Sequence, residues 1–273
     1  MKQPIFFFLL CCLSTSLSLL AQVSAPLPAG ARGQAMALGG TVFQDIHAAW
    51  GNPAGLAYLE GTSVALFGEQ RFALSELRQV GAAGAIALGS SAIGLSVGYF
   101  GFDAYNESRI GLVYGRKLAR NLSLGAQVYT LGTRIPDYGS RQLVSFELGL
   151  QAEISPSVRV GGRIANPMRV EILEDEPLPT SLSFGFSYKP GTQVEIMAEV
   201  EKDILFPVRV RTGLEYQLMD ALQLRAGLAT SPSLLSFGVG YKLLDQWLLD
   251  FSASYHQYLG FTPGLGMVYA PKS

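Results

Sequence analysis

Ser181-Leu182-Ser183-Phe184-Gly185-Phe186-Ser187-Tyr188-Lys189 is the stretch that decides the fold. Large apolar side chains alternate with serine or glycine, the period of a strand with one buried face. Leu234 to Lys242 repeats the pattern, with Leu235, Phe237, Val239 and Tyr241 against Ser236, Gly238 and Gly240. Residues 92–99 repeat it again, with Ile93, Leu95, Val97 and Tyr99 against Gly94, Ser96 and Gly98. One face is bulky and often ends in an aromatic; the other is small or polar. A soluble barrel points its bulky face inward, whereas a membrane barrel points it at lipid.

Composition leaves both open. The chain is 49% hydrophobic and 15% charged, with 31 glycines and a formal net charge of -1. Soluble domains carry about a quarter charged residues. No apolar run approaches the roughly 20 residues that a membrane helix requires. Abundant glycine, high apolar content and no spanning helix suit a transmembrane β-barrel.

Both ends favour the same reading. Lys2 followed by the apolar Ile5 to Leu13 reads as a secretory signal, with residues 1–21 removed near Ala21. Cys11 and Cys12 lie inside it, so the mature chain is expected to hold no disulfide and no cysteine chemistry. Gly264-Leu265-Gly266-Met267-Val268-Tyr269 resembles the terminal-strand signal of outer-membrane barrels, with Ala270 to Ser273 trailing beyond the aromatic. The expected fold is all-β: a transmembrane antiparallel β-barrel of the bacterial outer membrane over 62–273, with about 14 strands by its turn signals. Longer outer connections are expected at 72–76, 101–107, 131–141 and 165–179, and short periplasmic turns between.

Residues 22–61 have different grammar. After a leader, Gly30 to Gly40 is rich in glycine and alanine, and Asp45 to Trp50 fits one helical turn. Pro53 then biases Asn52 away from helical angles. This segment is not wall, and His47, Trp50, Asn52, Pro53, Gly55 and Leu56 stand at its centre; the resemblance named below implies that it is a hatch, or plug, inside the lumen.

Charges cannot face mid-bilayer lipid, where Arg or Lys costs about 2–4 kcal/mol. Antiparallel pairing about the turns sets Glu153 opposite Arg159, Glu199 opposite Arg211, Glu201 opposite Arg209, and Glu215 opposite Arg225. All lie on the small, lumenal face, where opposite-charge pairs contribute roughly 0.2–1 kcal/mol each. They read as register and hydration devices. The alanines and glycines of residues 81–85 read as a place where the wall is weakly sealed.

No catalytic, cofactor or metal site is expected. The two histidines, His47 and His256, are far apart and have no second ligand at metal spacing. No nucleophile elbow or phosphate loop occurs. Asp250, Ser252 and His256 share one strand but would all face the lumen, unlike a hydrolase of the outer wall. No basic stripe suggests nucleic acid. The acidic Glu171, Glu174, Asp175 and Glu176 read as a solvated outer loop.

Gly30-Ala31-Arg32, then Leu38-Gly39-Gly40, then Ala48 to Leu56 with Asn52-Pro53-Ala54-Gly55-Leu56 at its core, resembles the hatch of FadL-type barrels. It is most similar to their PorV and PorQ relatives. The resemblance implies a fourteen-stranded barrel with a lumenal hatch and two uses. PorV- and PorQ-like members are non-enzymatic accessories of type IX secretion that bind cargo or a surface-attachment complex. FadL-like members pass hydrophobic small molecules such as fatty acids, by a lateral gap in the wall. The short outer loops favour the first, with secretion or surface-attachment partners besides outer-membrane lipid. The conduit for a hydrophobic small molecule is the alternative.

Overall fold

The structure, a computed structural model, describes residues 28–136, 139–173 and 176–271. The signal-peptide reading with its two cysteines, the start of the leader, and Glu174 and Asp175 of the acidic run lie outside the described residues.

Fourteen antiparallel strands close into a barrel. They are β1 (Thr62–Gln70), β2 (Arg78–Leu88), β3 (Ser91–Phe102), β4 (Tyr105–Ala119), β5 (Leu122–Ile135), β6 (Gly139–Ser155), β7 (Val158–Ala165), β10 (Ser181–Tyr188), β11 (Val194–Asp203), β12 (Arg209–Met219), β13 (Leu222–Ala229), β14 (Leu234–Leu243), β15 (Trp247–His256) and β16 (Gly260–Tyr269). Two short strands, β8 (Glu171–Leu173) and β9 (Glu176–Pro177), pair within the connection from β7 to β10. Each barrel strand pairs with its sequence neighbour, and β1 with β16 closes the ring from Val64↔Tyr269 to Glu69↔Gly264. No helix among the described residues is long and apolar enough to cross a membrane.

The bulky face points out. Phe184 is 60% exposed and Phe237 48%, whereas Ser183, Ser187 and Ser236 on the same strands are buried. The same alternation runs round the ring through Leu95, Ile110, Val128, Leu148, Val200, Leu224 and Phe251, all exposed. A belt of exposed aliphatic and aromatic groups on a closed sheet with no free edge is the outer wall of a bacterial outer-membrane protein. At the end where β1 starts and β16 stops, the rings of Trp247 and Tyr269 pack at a tilt, their centres 4.5 Å apart. By the barrel rule this end, with its short turns, is periplasmic.

Two expected outer loops are instead wall. The ladder runs on to Phe102↔Tyr105 and to Ile135↔Gly139, so β4, β5 and β6 stand 15, 14 and 17 residues long. Asn106, Glu107, Thr133, Arg134 and Arg141 break the apolar alternation there. They do not break the pairing, because a strand beyond the bilayer needs no greasy face. The connection after β7 is a loop, organised by Asn166. Its side chain accepts from Ser145 Oγ (2.9 Å) and Val170 N (3.0 Å), and donates to Leu178 O (2.9 Å) and Thr180 Oγ1 (3.2 Å). Leu178 is thereby packed on the inward Tyr129 and Leu131.

The seam suspected at residues 81–85 is closed. β2 pairs with β1 from Thr62↔Ile86 to Gln70↔Arg78, and with β3 from Gln79↔Phe100 to Leu88↔Ser91, without a register shift. Gly81, Ala83 and Ala85 of this stretch face the inside of the barrel, where Ala83 and Ala85 are buried.

Candidate functional site: the occupied lumen and its outer vestibule

The segment 28–58 lies in the lumen. It contains one short helix, α1 (Gly30–Ala35), and two 3-10 turns, Ile46–Ala49 and Pro53–Tyr58. Asp45 caps the first turn, its carboxylate accepting from His47 N at 2.8 Å and lying 3.0 Å from His47 Nδ1. Asn52 caps the second, accepting from Ala54 N at 3.0 Å, with Pro53 at the position where a missing N–H costs nothing.

Asn52 also fastens the segment to the wall. It is fully buried, and its amide nitrogen lies 2.8 Å from Thr41 O, 3.0 Å from Leu150 O and 3.1 Å from Gly162 O. That approach needs a wall without side chains. Gly115, Gly125 and Gly149 are direct cross-strand partners on β4, β5 and β6. A Cβ on any of them would come within 3.0 Å of Asn52, Pro53 or Ala54 atoms. Gly161, Gly185, Gly213 and Gly227 continue the path, facing Thr41, Met36 and Leu38. Gln151 completes this side, donating to Thr41 O (3.1 Å) and Phe43 O (3.0 Å). Gly55 lies against Phe43 O, and Leu56 is fully buried.

The opposite side is ionic. Arg32 forks onto Glu215 through two 2.9 Å bonds, donates to Asp45 at 2.5 Å, and lies 4.5 Å from the centre of the Phe43 ring. Glu215 also accepts from Arg225 Nε at 2.7 Å, and Arg225 pairs with Asp250. Glu199 accepts from two backbone amides of the segment, Gly39 N at 2.6 Å and Thr41 N at 2.7 Å.

All four cross-strand pairs read from the turns stand in register: Glu153↔Arg159, Glu199↔Arg211, Glu201↔Arg209 and Glu215↔Arg225. Register does not settle the bonding. Arg159 pairs with Glu195 at 2.5 Å and donates to Gln44 Oε1 at 2.6 Å, while Glu153 accepts from Gln44 Nε2 at 3.2 Å. A bulge between Glu153 and Ser155 turns the strand there, and Gln44 bridges the two charges. Glu201 sits nearer Arg211 (3.2 Å) than Arg209 (3.6 Å). The reading from turns missed a third cluster. Glu147, 1% exposed, holds both Arg109 (2.6 Å) and Arg163 (2.8 Å), and Arg109 lies 3.7 Å from the centre of the Tyr129 ring.

The third side is apolar. Ile46, Trp50 and Leu56 pack on Ala65, Phe67, Ala83, Ala85, Ala92 and Val113. Trp50 and Phe67 meet edge to face at 5.1 Å and 79°. The alanines of β2 leave room for this ring pair. His47 lies beside Trp50 and Phe43, buried in the segment.

Above the segment, at the outer end, is a cavity of about 350 Å³ floored by Gln34, Leu38 and Gly39. Glu69, Arg71, Arg163, Glu201, Arg209 and Arg211 line its walls. Asp250, Ser252 and His256 form no hydrolytic relay. Asp250 pairs with Arg225, Ser252 donates to Gln34 Oε1 at 2.7 Å, and His256 Nδ1 accepts from Tyr258 N and Leu259 N at 3.2 Å.

No protein-family model and no curated protein matches the sequence. The fold is similar to solved barrels. A monoaromatic hydrocarbon channel, CymD, matches at TM-score 0.72 and 15% identity over 91% of this chain and 99% of that one. A Pseudomonas aeruginosa FadL homologue matches at 0.66 and 14%, over 91% and 98%. The Ralstonia pickettii toluene transporter TbuX matches at 0.64 and 15%, over 88% and 96%. The first and third are a hydrocarbon channel and a toluene transporter, and the second is a FadL homologue. None of the comparisons supports a secretion accessory or closeness to PorV and PorQ.

Proposed function

We propose that this protein passes small hydrophobic molecules across the outer membrane through a barrel regulated by its own N-terminal segment. The observation that carries the reading is the fold, a closed fourteen-strand barrel similar over nine-tenths of its length to a hydrocarbon channel; in this chain it surrounds an N-terminal segment beneath an outer vestibule. The expectation of a docking accessory rested on short outer loops, the paired lumenal charges and the Arg32-Gly33 lead-in. The tall β4–β6 hairpins weaken the first of these grounds. The chain itself supplies only binding, exclusion of bulk water and a route.

The test is uptake by intact cells whose lipopolysaccharide layer is the barrier to hydrocarbons. Cells expressing the protein should take up labelled toluene faster than otherwise identical cells without it. Equal rates at saturating expression would end the reading.

A further inference from the structure

Three sides of the lumenal segment are fastened to the wall in different ways. Toward β4–β7 it meets glycines backbone to backbone, with Asn52 and Gln151 bonded across the contact. Toward β11–β13 it is held by Glu199 and Glu215. Toward β15 and β16, Gln34 bonds Ser252 Oγ and Thr262 O. Toward β1–β3, among the described residues, no hydrogen bond or ion pair joins residues 28–58 to the wall. The contact there is mainly between apolar groups, with Ser63 and Ser96 also buried on the inward face. On this same side Trp50 Nε1 is buried with no acceptor.

Resting on the reading just given, we propose that hydrophobic solutes pass along this β1–β3 side, and that Trp50 and Phe67 form the constriction that sets their size. Phe67 is the next inward residue on β1 below Glu69, which borders the vestibule. Below Phe67 the inward residues of β1 are Ala65 and Ser63, and their facing β2 neighbours are Ala83 and Ala85. A strip of small residues, covered by Ile46, Trp50 and Leu56, therefore runs from the ring pair toward the periplasmic end. Gly81, directly opposite Phe67, lets the ring lie flat on β2, because a Cβ there would overlap it. Since β1, β2 and β3 stay paired along this route, the solute travels down the axis beside the segment and not out through a parted wall. Polar solutes are disfavoured, because the Trp50 indole N–H and the hydroxyls of Ser63 and Ser96 are too few to replace their water. An edge-to-face ring pair that must swing aside suits a solute one aromatic ring wide.

The experiment has two readouts in the full-length protein. Uptake of toluene, naphthalene and anthracene is compared for wild type, Phe67→Ala and Trp50→Ala, each checked for its folded mobility. Phe67→Leu replaces any variant that does not fold. The variants should admit the fused-ring members that wild type excludes. Separately, Trp247→Phe leaves Trp50 as the only tryptophan, and bromobenzene should quench it. If wild type takes up no toluene beyond the control cells, the conduit reading fails and this route with it. If wild type takes up toluene but either the size shift or the quenching is missing, the route is overturned while the conduit stands.

Discussion

Asn52 offers the sharpest test of how the N-terminal segment is held. Asn52→Ala removes one cap, worth about 1 kcal/mol. It also removes both amide N–H donors, whose net hydrogen bonds are worth roughly 0.5–1.5 kcal/mol each. The carbonyls of Thr41, Leu150 and Gly162 then face a methyl group in a site with no exposure. The sum is about 3 kcal/mol against docking, or roughly 150-fold in the docked-to-released ratio. Asn52→Asp separates the two contributions. It keeps the oxygen that caps Ala54 but aims an unpaired buried charge at three carbonyl oxygens, so it should be worse than alanine. Hydrogen exchange read by mass spectrometry is the assay, since local opening can be scored peptide by peptide. Peptides within 38–58 should lose protection in the order Asn, Ala, Asp, while the strands keep theirs. An Asp variant as protected as wild type would show that the cap alone matters. Equal loss in the strands would show that the segment and the wall are one cooperative unit.

Other consequences are as direct. Gly149→Ala places a Cβ on the Asn52 side chain and should release the same peptides; with Asn52→Ala in one chain the two losses should not add, because the second finds the contact already gone. Glu147→Gln leaves Arg109 and Arg163 without their shared carboxylate and should lower barrel stability by about 3–5 kcal/mol, read from the temperature at which folded mobility on gels is lost. Phe184→Arg, on the lipid face between Gly162 and Val200, should cost about 2–4 kcal/mol of folding into bilayers in a urea titration, and a change within about 0.5 kcal/mol would mean that face does not meet acyl chains.

The wall was legible because one strong rule governs it. A residue at a lipid-facing position must be apolar, so the period of two survives in every strand that crosses. Where the hairpins of β4, β5 and β6 rise past the bilayer, that rule lapses and the sequence looks like loop although the ladder continues. Charge pairing was half legible. Tight turns set register, which placed Glu215 beside Arg225, but nothing local announces that Arg32, 183 residues away, takes the same carboxylate. One signal was available and not used. Gly115, Gly125, Gly149, Gly161 and Gly185 fall on the small face of successive strands, where serine or threonine would serve a hydrated wall equally well. Repeated glycine on a lumenal face marks where something lies against the wall, and the Asn-Pro turn is what lies there.

Glu215 also says something about how the lumen is put together. Its two oxygens are shared between Arg225 of the wall and Arg32 of the inserted segment, and Glu199 likewise serves Arg211 and the amides of Gly39 and Thr41. With the segment docked, each carboxylate is neutralised from both sides and no lumenal charge there depends on water alone. The described lumenal stretch 28–58 carries one arginine and one aspartate, so its formal charge, with His47 neutral, is zero and long-range attraction does not hold it. What holds it is the local fit of a fork to a carboxylate, of backbone to glycine and of Gln34 to Ser252 and Thr262, which is directional and, among the described residues, leaves the β1–β3 side unbonded. A segment held this way can give along its unbonded side without losing the contacts that fix it, and that asymmetry is what a conduit needs and a permanent stopper does not.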